Sequence, residues 1–220
     1  MNTIDLRGPV VDDTTAVMYE YCNIPCISSK QIRNILNKAG TNEINITINS
    51  NGGSVTAATD IFALLKNSKN SINIDIYGIA ASAASVIAMG ADKTRMDSTA
   101  LMMIHLPSAA VRGNQEDMRQ TADTLDTVTK VIINAYKSKT TMSAEQIYEL
   151  LKNTTYMTAE KALSLGFIDE VIPHDSNTNQ QNINNSLYDT ENIVDIQTIV
   201  KMKMQNEIEA IKKGCIKNDI

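Results

Sequence analysis

Tryptophan is absent from the 220 residues, and there are only two phenylalanines, two histidines, three cysteines and four prolines. Each shortage excludes something. Few aromatic rings leave little with which to stack bases, and Lys and Arg (20) are outnumbered by Asp and Glu (25) with no basic run, so no nucleic-acid partner is expected. Cys22, Cys26 and Cys215 cannot all pair within one chain, and no Cys/His spacing suits zinc. Reduced structural thiols and no metal are the expectation. No apolar run approaches the ~20 residues a membrane span needs. Met1-Asn2-Thr3-Ile4-Asp5 has neither the basic nor the apolar part of a secretory leader. A soluble, cytoplasmic protein is therefore expected, with no membrane partner and no cofactor.

Aliphatic residues and alanine are what the chain does have. Apolar content of 43% and charged content of 20% describe an ordinary globular domain, one unit with or without a short appendage, whose core must be Ile, Leu, Val, Met and Ala. Periodicity orders it. Thr3 to Leu6, Ile44 to Ile48, Ile72 to Tyr77, Thr94 to Met96, Ala100 to Ile104 and Phe167 to Ile172 read as strands. A helix follows the capping run Asp12-Asp13-Thr14-Thr15, and others are expected over Lys30–Lys38, Val55–Lys66 and Ala80–Met89, and in the stretches opened by Ser143 and Thr158. Asn114 to Ser138 is a long polar helix with one narrow stripe (Met118, Leu125, Val128, Ile132, Tyr136), projecting or used for assembly. His174 to Asn192 is a polar linker, and Ile193 to Lys213 a separate amphipathic helix for a partner or for its own domain. Strands alternating with helices mean an α/β layer fold. The domain reading is residues 1–173, a linker 174–192 and a helical extension 193–220.

Three successive strands end in marked residues: Asn49-Ser50-Asn51-Gly52-Gly53, Gly78-Ile79-Ala80-Ala81-Ser82, and His105-Leu106-Pro107. In open α/β sheets, sites form outside the carboxyl ends of strands. Ser82, in the first turn of a small helix just past a strand, has the setting of a nucleophile elbow. A serine hydroxyl needs a base to take its proton, and His105 is the one histidine before the tail. Gly52-Gly53 lets backbone approach a substrate, and its N–H groups with that of Ala83 would steady an oxyanion. The bland alternatives are a tight turn, a strand-end imidazole and a packing hydroxyl.

These three motifs, with Ile48 and Met103-Ile104 before two of them, resemble the Clp peptidase family, the proteolytic subunit of the ATP-dependent Clp protease. The resemblance covers roughly Asp5 to Ile172. The doubled Ala-Ala-Ser-Ala-Ala-Ser and the polar tail look most like phage and prophage members linked to head maturation. The family implies a crotonase-like fold of repeated ββα units, with Asn114–Ser138 as the projecting handle helix. It also implies a seven-subunit ring, single or stacked in pairs, serine-dependent cleavage of unfolded peptides or phage structural proteins, and an AAA+ unfoldase as partner. Carried over, Ser82 is the nucleophile, His105 the base, and Gly53 and Ala83 the oxyanion donors. Ser85 repeats the context of Ser82 one helical turn on and is the rival.

Two positions depart from the pattern. Asn51 replaces the usual proline. More seriously, the family's aspartate should fall just before Tyr156-Met157-Thr158-Ala159-Glu160, where Asn153-Thr154-Thr155 stand. Thr154 aligns best as third member and Asn153 is the alternative; Asp169 and Asp123 are carboxylates of unknown place. Besides a serine endopeptidase, two functions compete: an acyl-CoA hydratase or isomerase on the same fold, and a silent Clp-like ring acting as an assembly protein.

Overall fold

Alternating isoleucines build the sheet. Strand β2 (Ile44–Ser50) buries Ile44, Ile46 and Ile48, and β3 (Ile72–Ala81) buries Ile72, Ile74 and Ile76. The two run parallel with isoleucine opposite isoleucine: Ile44 with Ile72, Ile46 with Ile74, Ile48 with Ile76. The residues between them, Asn45, Thr47, Asn73 and Asp75, form the other face. There Arg95 clamps Asp75 with two contacts of 2.7 Å. In the computed structural model, which describes residues 3–40, 43–173 and 196–215, β1 (Thr3–Arg7), β4 (Lys93–Asp97) and β7 (Glu170–Ile172) complete a parallel order β1-β2-β3-β4-β7.

The sheet forks at β3. Its first half pairs with β4, and its end, Ile79 to Ala81, pairs with β5 (Leu101–Ile104). Strand β6 (Thr155–Met157) then joins β5 antiparallel. Helices α1 (Asp13–Cys22), α2 (Ser29–Ala39), α3 (Val55–Lys66), α4 (Ala83–Ala88), α5 (Gln115–Lys137), α6 (Ala144–Lys152) and α7 (Ala159–Ser164) connect the strands. Most open on side-chain caps of the expected kind: Asp12 for α1, Ser28 for α2, Ser54 for α3, and full capping boxes at Asn114 and Ser143. α3 and α4 cover the isoleucine face, and every residue of α4 is buried, which Ala, Ser, Val and Ile make possible. The seven-stranded mixed α/β layer is the expected fold class.

The elements differ from the sequence reading in several places. Gly78 does not end its strand. At φ 77° it bends β3 over the Asn49 side chain, whose Oδ1 accepts from Ile79 N–H at 3.3 Å, and the pairing register shifts there. The small helix consequently opens at Ala83, not Ala80. Strand β6 has no counterpart among the expected strands, since three residues cannot display a period of two. The last strand is shorter than expected, because Phe167 and Ile168 are buried before it begins.

The long helix α5 is as expected in outline: Thr129, Ile132, Ile133, Ala135 and Tyr136 are buried, while residues 115–120 are exposed, Met118 included. The linker 174–192 lies outside the described residues. Beyond it α8 (Ile196–Cys215) lies against α1, where the Lys203 ammonium meets the Tyr21 carbonyl and sits 4.5 Å from its ring centroid.

Ile74 is fully buried in the central strand. Ile74→Ala should cost about 2–5 kcal/mol, seen as a lower denaturant midpoint at unchanged slope. A loss below ~1 kcal/mol would contradict its central packing.

Candidate active site

The glycine turn is built first. Ser50, buried at the end of β2, donates its hydroxyl to the Gly8 carbonyl at 2.6 Å and accepts from Gly52 N–H at 3.1 Å. Val10 then brackets the turn: its N–H donates to the Gly52 carbonyl at 2.9 Å, and its carbonyl accepts from Ser54 N–H at 2.8 Å. Gly53 sits between them at φ 147°, and a Cβ there would lie 2.2 Å from the Val10 oxygen. At Gly52 a Cβ would lie 2.5 Å from the Ala81 oxygen and 2.9 Å from Ala83 N. Only glycines allow this turn to lie on the end of β3.

Ser82 stands where β3 passes into α4, with φ 52° and ψ −121°. A non-glycine residue at positive φ holds only where its surroundings force it. Here Ser82 N–H donates to the Met103 carbonyl of β5 at 2.8 Å, while its own carbonyl accepts from Ser85 N–H at 3.0 Å. The bend throws the hydroxyl out of the sheet edge. Ser82 Oγ lies 2.8 Å from His105 Nε2, so the strand ends bring together the two groups singled out in the sequence. Neither Gly53 N–H nor Ala83 N–H is taken by an acceptor among the described residues, the latter being the first, orphan N–H of α4.

His105 is half-buried, and burial lowers its pKa below the ordinary 6.5. Among the described residues Ser82 Oγ is its sole hydrogen-bond partner. The pairing of β5 with β6 explains what stands nearby. The ladder ends at Ile104 opposite Thr155, so His105 and Thr154 are the residues just beyond its last pair. Thr154 adopts φ 46°, strained for a β-branched residue, and its N–H bonds to the Leu151 carbonyl at 3.1 Å. Neither the side chain of Thr154 nor that of exposed Asn153 bonds the imidazole. Asp169 is committed elsewhere, to Thr94 N–H at 2.7 Å and to the Lys139 ammonium. Asp123 lies on the exposed part of α5. The rival Ser85 is fully buried and bonded to the Ser82 carbonyl and to Tyr136, away from His105. Sequence reasoning missed Ser50 and Tyr136: one is a serine inside a turn, the other a tyrosine on a stripe, and neither spacing marks a site.

A serine held at a strained strand-to-helix bend, bonded to an imidazole beside a glycine turn with free N–H groups, is the arrangement of a serine hydrolase class. Comparison with known proteins narrows this. Residues 27–175 match the model of the Clp protease family. The chain is 33% identical over 133 residues to the ATP-dependent Clp protease proteolytic subunit 2 of Thermobifida fusca, covering 59% of this chain and 65% of that protein, just under two thirds of its length. Over 174 residues it is 32% identical to proteolytic subunit 1 of Cutibacterium acnes (77% of this chain, 76% of the relative). Over 155 residues it is 30% identical to a proteolytic subunit 2 of Chlamydia trachomatis (70% and 76%). The chain belongs to the Clp protease family.

The lowered pKa has a signed consequence. The unfolded imidazole takes a proton near 6.5, the folded one only at lower pH, so stability should fall as pH drops from 6.5 towards the folded value and level off above 6.5. In a His174→Gln variant, which leaves one imidazole, an NMR titration of His105 should have its midpoint below 6.5. A midpoint above 6.5 would mean that an unseen acceptor holds the ring.

Proposed function

We propose that this chain is the subunit of a serine endopeptidase working inside a ring of its own copies. The observation that carries the reading is the 2.8 Å contact between Ser82 Oγ, on its positive-φ bend, and His105 Nε2. For Ser82 to give up its proton, Nε2 must carry the lone pair and Nδ1 the hydrogen. Ser82 Oγ then bonds to the peptide carbonyl carbon while its proton passes to His105. The carbonyl oxygen becomes an oxyanion, which Gly53 N–H and Ala83 N–H are free to receive. His105 returns the proton to the leaving nitrogen as the C–N bond breaks, leaving an ester on Ser82. Water, deprotonated by the same ring, attacks that ester, the acid product leaves, and Ser82 regains its proton.

Among the described residues no carboxylate bonds this imidazole, so the chain would work as a Ser-His pair with Thr154 as an uncharged neighbour. In serine proteases, replacing the aspartate by asparagine lowers the rate by about 10⁴. A slow peptidase is expected on that basis. A second reading, an inert Clp-like ring serving as an assembly protein, draws on the same missing carboxylate. The hydratase reading finds no acid/base carboxylate at these strand ends.

Finer features follow family resemblance. The ring is taken as seven subunits, single or doubled, with exposed Met118 of α5 placed for contact between copies. Substrates are taken as unfolded peptides, with phage structural proteins the class suggested by the doubled Ala-Ala-Ser run and polar tail. An AAA+ unfoldase is the partner that would feed the chamber, in the cytoplasm. Residues 1–173 would form the peptidase unit and 193–220 its extension.

A fluorophosphonate probe should label Ser82 and fail to label Ser82→Ala. Labelling that persists in Ser82→Ala would refute the assignment, and a wild-type protein that neither reacts nor cleaves peptides would favour the inert ring. Thr154→Asp should speed labelling at least about tenfold and move the acid limb of its pH profile upward, since a carboxylate opposite His105 favours the protonated ring. No gain would remove position 154 from the site.

A further inference from the structure

Behind the bend lies a buried pair that none of these steps uses. The Ser85 hydroxyl is 2.6 Å from the Ser82 carbonyl oxygen, and the Tyr136 hydroxyl is 2.9 Å from Ser85 Oγ. Counting protons fixes the direction. A carbonyl only accepts, so the single hydroxyl proton of Ser85 goes to Ser82. The phenol proton of Tyr136 then goes to Ser85. Burial raises the Tyr136 pKa far above its ordinary value, so that proton stays in place. The result is a one-way chain, Tyr136 to Ser85 to Ser82, running from α5 through α4 to the backbone of the serine.

Both residues are enclosed: Ser85 is 0% exposed and Tyr136 is 1% exposed. Tyr136 also packs edge-on against Phe167, with ring centroids 5.5 Å apart and planes at 68°, which holds the phenol in one orientation. A helix start ordinarily gives its cap carbonyl a backbone donor. The Ser82 carbonyl has Ser85 N–H at 3.0 Å, Val86 N–H at 3.3 Å and, in addition, this hydroxyl at 2.6 Å. Bonds in such a chain reinforce one another. The added donor acts on the Ser82–Ala83 peptide, whose orientation is the ψ of −121° at Ser82, the second angle of the strained bend.

We propose that Tyr136 and Ser85 are positioning residues for Ser82, their hydrogen-bond chain holding the bend that aims Ser82 Oγ at His105. The seat of α5 against α4 thereby sets how reactive the serine is. The proposal rests on the reading of Ser82 as nucleophile. Neither residue touches substrate.

The test compares fluorophosphonate labelling rates in the full-length protein, in Tyr136→Phe, in Ser85→Ala and in the double variant. Phenylalanine keeps the packing on Phe167, and the double variant leaves no phenol without a partner. Thermal midpoint, oligomeric state and hydrogen exchange at the Ser85 and Val86 amides are read alongside. Each single change should slow labelling about tenfold, since small misplacements of reacting groups are costly. The double should be no slower than the slower single, the acid limb should not move because His105 is untouched, and exchange at the two amides should quicken. Wild-type labelling rates in Tyr136→Phe and the double variant, whatever happens to the thermal midpoint, would overturn the proposal. Failure of the parent reading looks different: wild-type protein would not be labelled at Ser82. Amide exchange alone then decides, and exchange unchanged in the variants overturns the chain's role.

Discussion

The site depends on one backbone constraint, the positive φ of Ser82 where β3 becomes α4. An L-residue avoids this conformation, so the surroundings must impose it. Three elements do so. β5 accepts the Ser82 N–H, the glycine turn after β2 lies close enough to leave no room for a Cβ, and α4 holds the carbonyl. The isoleucine ladder of β2 and β3 supplies the rigidity behind them. Strain at the bend is tolerable because the core beneath it is large and well packed, and the strain is what presents the hydroxyl.

The fork of the sheet explains why His105 meets Ser82. A strand paired with β4 along its whole length would carry its end away from β5. Gly78 breaks the register, β3 changes partner, and Ala81 comes level with Met103, two residues before the imidazole. β5 in turn pairs antiparallel with β6, and the last pair, Ile104 with Thr155, leaves His105 and Thr154 just past the end of the ladder. Burial, with no carboxylate bonded to the ring among the described residues, leaves it reluctant to hold a proton, which under the proposed mechanism suits a base and handicaps the imidazolium that follows.

Much of this was legible in the chain. The alternation in Ile44–Ile48 and Ile72–Tyr77 marks half-buried strands, and the caps at Asp12, Ser143 and Thr158 mark helix starts. Ser82, His105 and Gly53 were legible because each closes a strand and because together they resemble a known family. What was not legible depends on tertiary pairing. Gly78 reads locally as a stop, and only its place over Asn49 makes it a bulge. β6 is too short to declare itself. Ser50 and Tyr136 act through partners 42 and 51 residues away, a distance no local pattern encodes.

The central claim is that Ser82, His105 and the Gly53 and Ala83 N–H groups act on one carbonyl. A crystal structure of the protein soaked with a peptide boronic acid tests this directly. The account predicts boron bonded to Ser82 Oγ, with one boronate oxygen within hydrogen-bond reach of Gly53 N and Ala83 N and another near His105 Nε2. A boronate bonded to another residue, or bonded to Ser82 with no oxygen towards the glycine turn, would contradict it.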